Sequence, residues 1–157
     1  MICIRVFKSR NDFLTKHKTM DISNINWLAV VVSTVAYFAL GAIWYGPLFG
    51  KAWQRGVGLS DDELKKANMG KLFGSALILS FVVSFGMAMF FYGFGENPDM
   101  DATMGGMMGL MTGLFFIIPS TALNYNFARK GVGLIMIDSL YHTIAFTIIG
   151  VILGVWK

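Results

Sequence analysis

Four long apolar runs dominate the chain, and each has about the length of a membrane-crossing helix. They cover residues 27–46, 72–94, 103–123 and 132–156. A helix needs about 20 mostly apolar residues to cross the hydrocarbon core of a bilayer. A membrane-spanning barrel would need many short segments of alternating character, whereas these runs are long and continuous. Residues 20–157 therefore predict one all-α domain, an integral membrane four-helix transmembrane bundle.

The composition supports this class. The chain is 55% hydrophobic and only 14% charged, whereas a soluble domain has about 45–50% apolar and about 25% charged residues. The net charge is +4, but the lysines and arginines lie outside the apolar runs and are not interleaved with aromatic residues as in a nucleic-acid-binding face. We therefore expect the lipid bilayer as a partner and no nucleic acid.

The connection between the first two runs, residues 47–71, predicts a short helix of its own. Ser60 is followed three residues later by Glu63, which is the pattern of a capping box at a helix start. A helix over residues 61–68 should follow, and Gly70 is suited to end it. We expect this helix to lie at the cytoplasmic face of the membrane.

The distribution of lysine and arginine predicts the orientation, because these residues are enriched in short cytoplasmic loops. The first connection holds five of them and the third connection two, whereas the second connection holds none. The first and third connections are therefore predicted to be cytoplasmic, with both termini outside. The seven residues are Lys51, Arg55, Lys65, Lys66, Lys71, Arg129 and Lys130.

Residues 1–19 do not fit this orientation, because they would place five further basic residues on the outer side. One hypothesis is that they are an upstream over-extension of the reading frame before Met20, or a poorly ordered tail. The other is a targeting presequence, because the segment is basic and has a single acid, Asp12.

Three segments carry a resemblance to a known family. They read Asn-Trp-Leu-Ala-Val at 26–30, Trp-Tyr-Gly-Pro-Leu-Phe-Gly-Lys-Ala-Trp at 44–53 and Ile-Asp-Ser-Leu-Tyr-His at 137–142. Together they resemble the bacterial membrane family called domain of unknown function 1761, over about residues 26–156. The resemblance implies a small multi-pass protein of the bacterial cytoplasmic (inner) membrane, and it implies no activity.

Asp138 and His142 interrupt the fourth run. Residues four apart lie on nearly the same face of a helix, one turn from each other. Asp138 should lie roughly 9 Å inside the cytoplasmic end, given a rise of about 1.5 Å per residue. An acid at this depth is costly, and it usually pairs with a partner or marks a function.

Two interpretations of this pair remain open. In the first, Asp138 and His142 form a polar clasp that fixes helix packing in a structural or interaction protein. In the second, they bind a proton or cation in a small transporter. Other polar residues predicted near the same depth are Tyr45, Asn124, Asn126 and Tyr141.

Metal, cofactor and enzyme chemistry are not predicted. A metal site needs three or four ligands, and the chain has one cysteine, Cys3, and one further histidine, His17. No nucleotide-binding loop, nucleophile elbow or metalloprotease motif is present.

Small and aromatic residues suggest how the helices pack. Glycines recur every four residues in the third and fourth runs, and such ridges let two helices approach closely. The ridges suit packing within the chain or pairing with a second copy, and both uses stay open. Trp44 and Tyr45 precede Pro47, which should end or kink the first run, and we expect their rings at the membrane surface. The ridge glycines are Gly105, Gly109, Gly113, Gly150 and Gly154.

Overall fold

The computed structural model describes residues 22–93 and 99–156. The predictions made for residues 1–19, including Cys3 and His17, and the predicted end of the second run at Phe94 lie outside these residues. Within them the structure is helical and has no strand, which confirms the all-α fold. Four helices are long and apolar enough to cross a membrane, and we call them spans 1 to 4: Trp27–Leu48, Met69–Tyr92, Ala102–Phe127 and Val132–Val155.

A π-helical turn ends span 1, and another divides span 3 into two α-helices. With the two short helices of the first connection, the described residues form seven α-helices. Span 1 consists of α1 and a first π turn at Trp44–Leu48, and span 3 consists of α5, a second π turn at Gly113–Ile117 and α6. A short 3₁₀ turn, Ile22–Asn24, precedes span 1. The α-helices are α1 Trp27–Ile43, α2 Gly50–Val57, α3 Asp61–Lys66, α4 Met69–Tyr92, α5 Ala102–Thr112, α6 Ile118–Phe127 and α7 Val132–Val155.

Three of the spans begin directly after a capping residue, whose side chain accepts a hydrogen bond from a backbone N–H group in the first turn. Asn26 Oδ1 accepts from the N–H of Ala29 at 3.2 Å at the start of span 1. Asn68 caps span 2 in the same way, and Asp101 caps span 3 with a bond of 2.7 Å. The first turn of a helix leaves its N–H groups without partners in the helix, so these residues define where the spans start.

The π turns lie at the two prolines of the spans. Pro47 is inside the first π turn, and Pro119 is the second residue of α6, directly after the second π turn. A proline has no N–H and clashes with the preceding turn of an α-helix, and the wider π turn accommodates it. Span 1 therefore continues past Pro47 to Leu48, and α2 begins at Gly50.

The first connection contains two short helices rather than one. The capping box is present: Ser60 Oγ accepts from the N–H of Glu63, and Glu63 accepts from the N–H of Ser60 at 2.8 Å. The predicted helix over residues 61–68 is too long, because α3 ends at Lys66. Asn68 caps the next helix and so cannot continue α3. Gly70 lies in the first turn of α4, and α2 had not been predicted.

The spans pack side by side in the order 2, 1, 4, 3. Spans 3 and 4 approach most closely, because the glycines of their ridges face each other. A Cβ placed on Gly105 would lie 2.1 Å from the carbonyl oxygen of Gly150, and one placed on Gly109 would lie 2.1 Å from that of Phe146. The glycine ridges are thus buried between two spans of the same chain, and pairing with a second copy through them stays a prediction.

Span 4 is the best-buried span, and it carries the polar groups of the interior. Its inward face includes Asp138, Ser139 and Thr143, all buried. The outward faces of the other spans are apolar, with exposed side chains such as Ile78 at 66% and Phe116 at 71%. A surface of this kind suits lipid rather than water.

Candidate functional site

Asp138 is held between three spans by tyrosine hydroxyl groups. The hydroxyl of Tyr45 in span 1 donates to Asp138 Oδ1 at 2.8 Å. The hydroxyl of Tyr125 in span 3 donates to Asp138 Oδ2 at 2.5 Å. The side chain is only 7% exposed. Both carboxylate oxygens thus have a partner, as a buried polar group requires.

The first π turn places Tyr45 against span 4. Within it, the N–H of Phe49 donates to the carbonyl oxygen of Trp44 at 2.9 Å, five residues back. The neighbouring residues Trp44 and Tyr45 both reach span 4: the indole N–H of Trp44 donates to the carbonyl oxygen of Ile137 at 3.1 Å. Trp44 is buried against span 4 and so lacks the exposed ring of an aromatic anchor, whereas the predicted depth of Trp44 and Tyr45 at the membrane surface stays a prediction.

His142 has a tyrosine partner of its own. The hydroxyl of Tyr37 in span 1 lies 2.7 Å from His142 Nδ1. The imidazole is half-buried. In the described part of the chain, no hydrogen bond joins His142 directly to Asp138, so the two residues are bonded to different tyrosines.

Tyr141 lies between these two pairs. Its ring is 5.0 Å from that of Tyr45, 5.4 Å from that of Tyr37 and 4.8 Å from that of His142, measured between centroids. Its hydroxyl donates to the carbonyl oxygen of Tyr37 at 3.3 Å. We call the six residues the Asp138 cluster: Tyr37, Tyr45, Tyr125, Asp138, Tyr141 and His142.

The cluster is a layer of polar and aromatic groups inside the bundle, whose other buried polar side chains, among the residues described, are serines and threonines. No lysine or arginine side chain of the described residues contacts the carboxylate of Asp138. In the same part of the chain, no three histidine, cysteine, aspartate or glutamate side chains come together as metal ligands would. The chemistry available here is hydrogen bonding and proton exchange between a carboxyl, an imidazole and phenol groups.

The structure brings four of the six predicted residues together: Tyr45, Asp138, Tyr141 and His142. It leaves Asn124 and Asn126 exposed on α6. The residue between them, Tyr125, is the one that points to Asp138.

Sequence reasoning missed Tyr37 and Tyr125. A signal for Tyr37 was present, because a tyrosine in the middle of an apolar run usually needs a partner for its hydroxyl group. For Tyr125, depth alone did not determine which of three adjacent polar residues faces inward.

Comparisons with known proteins identify a family and nothing finer. No curated protein and no solved structure shows significant similarity to the chain. One family profile, described as "Protein of unknown function (DUF1761)", matches residues 28–154. This range includes spans 2 and 3 in full, span 1 without its first residue and span 4 without its last residue. It also includes the whole Asp138 cluster. The chain therefore belongs to the DUF1761 family.

Proposed function

We propose that the chain is a small multi-pass protein of the bacterial inner membrane that acts by interaction or assembly, with Asp138 as an internal clasp. The observation that carries this proposal is the pair of hydrogen bonds from Tyr45 and Tyr125 to the two oxygens of Asp138. They join spans 1, 3 and 4 at one point. The predicted Asp–His clasp thereby becomes three tyrosine contacts to span 4, two to Asp138 and one to His142.

The physical argument concerns the free-energy cost of placing Asp138 in the membrane and the hydrogen bonds that offset it. An aspartate inside the bilayer costs about 2.5–3.5 kcal/mol on insertion scales. Hydrogen bonds to both oxygens of a buried carboxyl offset part of the free-energy cost of burying it. Because its donors lie on two other spans, Asp138 favours one arrangement of those spans over others. This role requires no substrate.

The orientation with both termini outside is part of the proposal. All lysines and arginines among the described residues lie in the first and third connections or at the start of span 2. The described residues of the second connection include two acidic residues, Asp99 and Asp101, instead. The enrichment of basic residues in cytoplasmic loops supports this orientation.

A second candidate function is proton- or cation-coupled transport through the Asp138 cluster. One observation favours it: Tyr141 contacts Tyr45, Tyr37 and His142, so the carboxyl and the imidazole belong to one layer of titratable groups. Such chains of aspartate and histidine occur in proton relays. In this candidate, His142 and Asp138 exchange protons with the cytoplasmic side.

The clasp is tested by a double-mutant cycle on the full chain in detergent micelles. The variants are Tyr45→Phe, Asp138→Asn and their combination, and the measured quantity is the free energy of unfolding. We expect a coupling energy of about 0.6 kcal/mol and at most about 1.7 kcal/mol, the mean and the maximum measured for hydrogen bonds between membrane helices.

A matched cycle with Tyr92→Phe serves as the control. The hydroxyl of Tyr92 donates to the carbonyl oxygen of Leu153, at the opposite end of span 4, so its removal and Asp138→Asn should be additive. Equal coupling in both cycles, or none in either, would contradict the clasp. Proton uptake by the reconstituted protein that is lost in a folded Asp138→Asn variant would favour transport instead.

A further inference from the structure

Helix α2 is docked on the bundle with its apolar side inward. The ring of Trp53 meets that of Tyr45 edge to face, with 5.6 Å between centroids. A Cβ placed on Gly56 would lie 3.1 Å from the side chain of Leu134 in α7. At its C-terminal end, Lys130 Nζ donates to the carbonyl oxygen of Val57 at 2.9 Å. The helix therefore has a fixed side that faces away from the bundle.

That outward side is basic. Lys51 and Arg55 are both exposed and four residues apart, so they lie on one face of α2. The contact of Lys130 with Val57 brings the third connection to the end of the same helix, and with it the exposed Arg129. We call Lys51, Arg55, Arg129 and Lys130 the α2 platform.

The platform has no acid of its own, whereas the neighbouring helix α3 does. Helix α2 carries two basic residues and no acidic one. Helix α3 carries three acids, Asp61, Asp62 and Glu63, against two lysines. Helix α2 thus has a net charge of +2 and α3 a net charge of −1, and Asp61 of α3 accepts a hydrogen bond from Gln54 of α2 at 2.8 Å.

The position of α2 indicates what the platform meets. Helix α2 begins two residues after the end of span 1, where the apolar part of the chain stops. Exposed apolar side chains lie next to the charges in sequence, Leu48 at 59% before α2 and Phe127 at 83% before Arg129. Basic groups beside exposed apolar and aromatic groups at this depth are typical of contact with lipid head groups.

We propose that the α2 platform binds the anionic head groups of phospholipids. The proposal rests on the membrane insertion proposed above. Charge complementarity favours a phosphate-bearing lipid with a net negative charge over a zwitterionic one. The docking contacts of Trp53, Gly56 and Lys130 hold the charges together before a lipid arrives, which lowers the ordering cost of binding.

The test compares two lipids on the full chain in detergent, by native mass spectrometry. The probes are phosphatidylglycerol and phosphatidylcholine with identical acyl chains. We expect the wild-type chain to retain phosphatidylglycerol preferentially. The double variant Lys51→Gln/Arg55→Gln should lose affinity for it by about fivefold for each charge removed, which corresponds to about 1 kcal/mol per basic residue.

Lys65→Gln/Lys66→Gln is the matched control, because it removes the same charge from α3. Its affinity for phosphatidylglycerol should stay within about twofold of the wild type, since these lysines have acidic neighbours on the same helix. An equal loss in both double variants, or no preference of the wild type for the anionic lipid, would overturn the proposal.

Membrane insertion is tested separately by an alkaline carbonate wash of the host membranes. A chain released by the wash would contradict membrane insertion itself. A chain that stays in the membrane but shows no preference for phosphatidylglycerol would contradict the lipid site alone. Melting curves of both double variants should match that of the wild type, because all four side chains are exposed.

Discussion

Gly105, Gly109 and Gly150 determine how closely spans 3 and 4 approach. A Cβ on Gly150 would lie 2.1 Å from the carbonyl oxygen of Gly105. That neighbour is backbone and cannot move aside as the end of a long side chain can. The absence of a side chain at these positions is therefore required by the contact between the two spans.

Alanine at one of these glycines should destabilise the fold. Gly109→Ala would place its Cβ 2.1 Å from the carbonyl oxygen of Phe146. Overpacking in a well-packed interior costs about 1–3 kcal/mol, so we expect the free energy of unfolding in detergent to fall by that amount.

Gly86→Ala in span 2 is the matched control. A Cβ there meets nothing within 4 Å, and alanine has a better helix propensity than glycine by about 0.8–1.0 kcal/mol. Its free energy of unfolding should be unchanged or slightly higher. A similar loss in both variants would mean that the contact between spans 3 and 4 is not the cause.

At the scale of elements, the first π turn and α2 position the side chains on which the two proposals depend. The first π turn directs Trp44 and Tyr45, which are adjacent in sequence, to the same neighbouring span. Single π-helical turns in α-helices occur frequently at functional sites. Helix α2 then packs on Tyr45 through Trp53. The Asp138 cluster therefore contacts helix α2, which carries part of the α2 platform, through the Tyr45–Trp53 ring pair.

The capping box of α3 should make this helix sensitive to acid. Hydrogen bonds from the backbone N–H and the hydroxyl group of Ser60 lower the pKa of Glu63. A carboxyl with a lowered pKa in the folded state stabilises the helix above its ordinary pKa, and this contribution is lost as the pH falls through the lowered value.

We therefore expect the amide protons of α3 to exchange progressively faster, relative to their intrinsic rates, as the pH falls below the ordinary glutamate pKa of about 4.3 and then through the lowered value. Hydrogen exchange followed from neutral pH down into the acid range measures this. In Glu63→Gln the relative exchange rate should not change with pH in this window. The same acid-dependent step in Glu63→Gln would show that another group causes it.

At the scale of the whole molecule, the bundle has a basic end and an end with acidic side chains. The contact of Lys130 with Val57 shows that the first and third connections meet at one end. Asp99 and Asp101 lie at the other, where span 3 begins. The outward surfaces of the spans between these ends are apolar. This arrangement supports both the proposed orientation and the lipid site.

Single-cysteine labelling tests the orientation. In a Cys3→Ser background, Thr103→Cys is exposed near the start of span 3 and Lys65→Cys is exposed in α3. In intact bacterial cells, a membrane-impermeant thiol reagent should label Thr103→Cys and leave Lys65→Cys unlabelled. After the cells are broken, both should react. The reverse pattern in intact cells would place both termini inside.

The sequence predicted the elements well where a strong local signal exists. Continuous apolar runs marked the four spans, and the Ser60–Glu63 pair marked the start of α3. Helix ends were less accurate. Span 1 runs on past Pro47 because a π turn accommodates the proline, and α3 stops before Asn68 because that side chain caps the next helix. In both places the helix end depends on which local hydrogen bonds form, and the periodicity of apolar residues does not predict that choice.

The chain by itself determined that Asp138 lies in an apolar helix and must find a partner, because hydrophobicity and helical rise are properties of consecutive residues. Only the tertiary structure decided which partners it has. Tyr45 and Tyr125 reach Asp138 because of how spans 1 and 3 are rotated, and this rotation depends on the π turns of these spans and on glycine contacts with span 4, which is distant in the sequence from span 1. The α2 platform likewise exists only because Lys130 and Val57, 73 residues apart, meet in the folded chain.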